Sequence, residues 1–124
     1  MEQTINQAEA TVITSQAFIE HWQGHRRLTR KVIEAFPEKE LFNFSIGGMR
    51  SFAELVQELL AIEAPGVKGI ATNEWKPLGE ERKNKKPETK EEILRQWDEA
   101  TEQINEYWKQ ISPQRFRETT RAFN

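Results

Sequence analysis

Cysteine is absent from the 124 residues. That excludes disulfides, thiolate metal sites and cysteine nucleophiles, and it is compatible with a reducing cytosol. No run of about 18 apolar residues occurs, and the N-terminus lacks the basic and long apolar regions of a signal peptide, so a cytoplasmic protein outside the membrane is expected. Charge of one sign is lacking too: 18 Lys+Arg stand against 20 Asp+Glu. Without a basic excess, neither nucleic acid nor an anionic membrane is an expected partner. No internal repeat, low-complexity tract, phosphate-binding glycine loop or Ser–His–Asp set is recognisable.

What the chain does have is aromatic and aliphatic mass at helical spacing. Four Trp, seven Phe and 36% hydrophobic residues suffice for one small core, so residues 1–124 are read as one domain. The fold class expected is all-α, an up-down bundle of three long helices, at about 15–36, 51–75 with a kink near 65, and 89–111. In the first, Phe18, Trp22, His25, Leu28 or Thr29, Val32, Ile33 and Phe36 recur at spacings of three and four. Ser15 is its expected N-cap and Pro37 its stop. Its solvent face is expected to be basic, with Arg26, Arg27, Arg30 and Lys31. Gly24 inside it suggests close approach of another element.

The second helix opens with a capping box at Ser51 and Glu54 and carries Phe52, Leu55, Val56, Leu59 and Ile62 on a broad apolar face. Pro65 removes a backbone donor, hence the expected kink or break. The third has a second capping box at Thr89–Glu92 and the stripe Ile93, Leu94, Trp97, Ala100, Ile104, Tyr107, Trp108 and Ile111. The apolar connection between Pro37 and Arg50 is expected to pack over one end of the bundle. Met1–Thr14, with the β-branched patch Thr11–Thr14, reads as an extended lead-in, and the basic run at Arg82–Lys86 as a solvated loop.

Glu58 interrupts the apolar face of the second helix. The positions 51, 55, 58 and 62 follow an inner seam, so this carboxylate is expected to point inward, where it needs a partner, a proton or a metal. His21 and His25 stand four apart, on one helix face, a spacing that suits two imidazoles on one ion. The alternative is structural: an inner glutamate paired with a basic side chain, and a hydrogen-bonded histidine on the apolar stripe. Glu63 falls off the face of Glu58, and the tryptophans and Tyr107 read as packing residues.

The run Glu20-His21-Trp22-Gln23-Gly24-His25-Arg26-Arg27-Leu28-Thr29-Arg30, followed by Glu34-Ala35-Phe36-Pro37, resembles the first helix of DinB-like (damage-inducible) proteins. Gly48-Met49-Arg50-Ser51-Phe52-Ala53-Glu54-Leu55 resembles the start of their second helix. The resemblance implies a four-helix bundle, often a homodimer, that binds a divalent metal (Zn, Ni or Mn) through three histidines. It also implies a thiol-transferase-type enzyme acting on a small-molecule or thiol substrate. Glu58 stands at the position that looks like the family's first metal histidine. The other two histidines belong to a fourth helix that this sequence does not contain. The metal-ligand candidates are therefore Glu58, His25 and His21. The alternative function is a non-catalytic bundle that works through self-association or partner binding.

Overall fold

The computed structural model describes residues 12–80 and 86–124. Over these residues the chain forms α1 (Ser15–Ala35), α2 (Glu38–Asn43), α3 (Phe52–Thr72), α4 (Lys90–Trp108) and a 3-10 turn (Pro113–Arg117). No strand occurs among the described residues, so the all-α expectation holds. Most of the lead-in, Met1–Thr11, and most of the basic run, Arg82–Lys85, lie outside them.

Each long helix starts where a side chain takes up a free N–H. Thr14, rather than Ser15, caps α1 by accepting from the Ala17 N–H at 3.0 Å. Ser51 and Glu54 form the full reciprocal box at α3. Thr89 accepts from the Glu92 N–H, but the Glu92 carboxylate reaches one residue further back and accepts from the Glu88 N–H at 3.1 Å.

α4 is the central element and packs against both α1 and α3. Trp108 at its end donates to the Ser15 carbonyl, and Lys90 at its start donates to the Glu34 carbonyl, so α1 and α4 are antiparallel. Phe36 stacks on Phe52 and Arg26 pairs with Glu63, so α1 and α3 are antiparallel as well. α3 and α4 therefore run the same way, and the bundle does not alternate strictly up and down. A connection over residues 73–89, at roughly 3.3 Å per residue, can span the ~30 Å needed to return the chain to the starting end.

The core consists of Ile19 and Ile33 from α1, Leu41 from α2, Ala53, Val56, Leu60, Ala64 and Val67 from α3, Ile93, Trp97, Ala100 and Ile104 from α4, and Ile111. Leu41 and Phe42 anchor the connection between α1 and α3, whereas Phe44 and Ile46 stand in solvent. That loop covers the bundle only in part.

Three local expectations change. α3 continues through Pro65 as one helix, and Trp75 lies beyond its end at Asn73, whose left-handed conformation (φ 59°) stops it. The Trp75 ring folds back over Gly69, where a Cβ would collide with it, so that glycine is required. Gly24, by contrast, has only the Arg27 side chain of its own helix near its missing Cβ, at 3.5 Å; no other element among the described residues comes close.

Candidate functional site

The apolar stripe expected to be the core face of α1 is buried only in part: Ile33 lies in the core and Trp22 and Phe36 pack against it, but the rest turns away. The buried positions are Ile19, Gln23, Arg26 and Ile33, while Phe18, His25, Leu28 and Val32 are exposed. On α3 the inward residues are Ala53, Val56, Leu60, Ala64 and Val67, and Leu59 and Ile62 are turned out. Each helix presents two adjacent faces that carry apolar residues, and the one against α4 is the face that can mate with it. It carries the small residues on α3 and the polar groups on α1 that α4 satisfies.

The faces left over line a groove between α1 and α3, of about 660 Å³. Leu28, Val32, Leu55, Leu59 and Ile62 form its walls, with His25 and Glu58 among its polar groups. Glu58 is not buried: its side chain is 46% exposed and forms an ion pair with Arg50 at 2.6 Å. The inward expectation fails because position 58 lies on the groove side of α3, where water reaches the carboxylate. The structural alternative, a glutamate paired with a basic side chain, describes its present contact.

His21 and His25 do come together. Their Nε2 atoms are 3.2 Å apart and their rings meet edge to face at 74°. At this separation one ring donates its N–H to the lone pair of the other. Two nitrogens each ~2.0–2.1 Å from one tetrahedral zinc are separated by roughly 3.3 Å. The pair thus matches the bite of a single ion. The family's three-donor arrangement is not assembled: no group of three His, Cys, Asp or Glu side chains stands close enough to share a metal among the described residues. The imidazole pair fits a divalent ion; Glu58 fits one only after leaving Arg50.

The inward-turned charge of this bundle lies elsewhere, at Arg26 and Glu63. Arg26 is 2% exposed, which overturns the expectation that it stands on the solvent-facing basic strip with Arg27, Arg30 and Lys31. Its guanidinium lies 4.2 Å from the centroid of the Trp97 ring. Its Nε donates to the Glu63 carboxylate at 2.8 Å, and its terminal nitrogens donate to Gln23 Oε1, Thr101 Oγ1 and the Trp97 carbonyl. The Trp97 indole N–H donates to the Arg26 carbonyl at 3.2 Å, and Gln23 extends the network to Asn105. A charge so buried persists because its donors are satisfied. Gln23 at the i−3 position and Glu63 seven residues from Val56 on the core face were the available signals.

Midway along α4, Arg30 forms a two-pronged pair with Asp98, at 2.7 and 2.8 Å. The hydrogen bond from Arg30 holds the Asp98 carboxyl below the usual aspartate range. At the α3 cap, the Ser51 backbone N–H likewise lowers the Glu54 carboxyl.

No helix among the described residues is long and apolar enough to cross a membrane. A family model described as "DinB family" matches residues 1–124, the full sequence given. Comparison with curated proteins found no significant match.

Proposed function

The chain belongs to the DinB family, and we propose that it is a cytoplasmic, divalent-metal-dependent protein of the thiol-transferase type whose working site is the groove between α1 and α3. The observation that carries this reading is the 3.2 Å separation of the His21 and His25 Nε2 atoms, with His25 and Glu58 both lining an apolar groove. His21 and His25 would hold the ion, of the Zn²⁺, Ni²⁺ or Mn²⁺ class, as a neutral imidazole pair. When bound, such an ion lowers the pKa of a ligated thiol or water and polarises it for attack.

The remaining roles belong to the chain itself. Leu28, Val32, Leu55, Leu59 and Ile62 take the apolar body of a small substrate out of water. Glu58 accepts a proton or supplies a further oxygen at the rim. Its pair with Arg50 does not prevent this, since an exposed ion pair holds by only about 0–1 kcal/mol.

Calorimetric titration of Zn²⁺, Ni²⁺ and Mn²⁺ into the protein tests the reading. One ion should bind per chain, His25→Ala and His21→Ala should each abolish binding, and Glu58→Ala should weaken it. Absence of binding, or binding unchanged in His25→Ala, contradicts it.

A second reading rests on the exposure of Leu28, Val32, Leu59 and Ile62 along one face. Apolar groups adjoining one another in this way suit an interface, and a homodimer closing over this groove is the partner that fits it. Sedimentation of the wild type and of Leu28→Asp/Leu59→Asp decides: a dimer that the double substitution dissociates supports it, and a wild-type monomer refutes it.

A further inference from the structure

A second concavity, of about 530 Å³, lies where the start of α1 meets the end of α4, and it shares no lining residue with the α1–α3 groove. Its walls are largely aromatic: Phe18, Trp108 and Phe116, with Ile13 and Pro113 beside them. Trp108 is fixed in place. Its indole N–H donates to the Ser15 carbonyl at 3.1 Å, and its ring lies nearly parallel to Phe18 at 5.5 Å and tilted against Phe116 at 5.3 Å. Phe18 and Phe116 nevertheless remain 47% exposed each. Two half-bare rings beside a fixed indole form a slot in which a third ring can lie at offset or edge-on geometry.

The cleft also has a charge. Arg117 lines it and has no ion-pair or hydrogen-bond partner among the described residues. The 3-10 turn that presents Arg117 is pinned by its neighbour. Arg115 donates to the Ile70 carbonyl and to Asn73, and pairs with Glu118 at 2.9 Å. Glu118 is thereby occupied, and the first turn of α1 carries no acidic side chain. Among the described residues, the uncompensated charge at this lip is positive.

We infer that this cleft is a binding site for a small aromatic carboxylate, its ring held against Phe18 and Phe116 and its carboxylate paired with Arg117. Guanidinium and carboxylate match in a planar two-pronged contact, and the volume lies within the range of small-ligand sites. The inference is independent of any metal at His21 and His25.

The test uses the whole chain with 2-naphthoate and the neutral 2-naphthamide, followed by calorimetry and by the Trp108 indole N–H resonance. Naphthoate should bind one per chain and shift that resonance. Arg117→Gln should weaken naphthoate at least tenfold while leaving naphthamide unchanged. Phe116→Ala should weaken both, and His25→Ala neither. No shift at Trp108, or a loss of less than tenfold in Arg117→Gln, overturns the inference; Arg117 is exposed, so its replacement leaves the fold in place.

Discussion

Arg26 and Glu63 show how a single buried charge shapes the rest. A guanidinium at 2% exposure, on the face of Trp97 and bonded to Glu63, is stable only while its partners remain. Removing one partner of a buried pair typically costs about 3–5 kcal/mol, whereas replacing both by apolar groups of similar volume is often neutral or stabilising. Urea unfolding should therefore show Arg26→Ala and Glu63→Ala each strongly destabilised, and Arg26→Met/Glu63→Leu close to wild type. A double variant as unstable as the singles would contradict this. Asp98 gives the pH dependence. Its carboxyl is depressed by the Arg30 hydrogen bond, so its contribution is present above the ordinary aspartate pKa of about 3.9. That contribution is lost as pH falls through the lower folded value. Because both side chains are partly exposed, the gain is at most about 1 kcal/mol. Asp98→Asn should lower stability by that amount at pH 7 and lose less than wild type between pH 4 and pH 2, followed by circular dichroism.

Among the elements, the glycines of α1 and α3 have opposite meanings. Gly24 has open space at its missing Cβ apart from the movable Arg27 side chain. Gly24→Ala should stabilise by roughly 0.5–1 kcal/mol through helix propensity. Gly69 carries the Trp75 ring on its backbone, so Gly69→Ala must displace that ring and should destabilise by about 1–3 kcal/mol, as overpacking does. Thermal melts of the two variants should move in opposite directions. Helix existence was legible in the sequence because its signals are local: caps at Ser51 and Thr89, a stop at Pro37, apolar spacing of three and four. The stripe of α4, with Ile93, Trp97, Ala100 and Ile104, was legible for the same reason, since its two flanks are plainly polar. Which face of α1 and α3 turns inward was not legible. Both carry apolar residues on two adjacent faces, with Gln23 and Arg26 among those of the buried face of α1, and the choice depends on α4, which supplies Trp97 and Thr101 to Arg26. Glu58 was misplaced by the same ambiguity, and the parallel course of α3 and α4 is set by contacts between distant segments.

At the scale of the whole molecule, two of its concave surfaces differ in chemistry. The cleft at the start of α1 is aromatic and positive, while the groove between α1 and α3 is aliphatic and bears imidazole and carboxylate. Metal at the groove would require the donor ring to carry its proton on Nδ1 instead, and protons compete with the ion for the freed Nε2 lone pairs, so affinity for the ion should fall as the solution is acidified. The chain contains only two histidines, which makes their ring protons an unobstructed readout. The most direct measurement is a Zn²⁺ titration near pH 7.5 followed by the imidazole carbon-bound proton resonances of His21 and His25. The expected result is that both shift together and saturate at one ion per chain, with neither shifting in His25→Ala. Resonances that stay in place through several equivalents, or that move independently of one another, would contradict a metal held between these two rings.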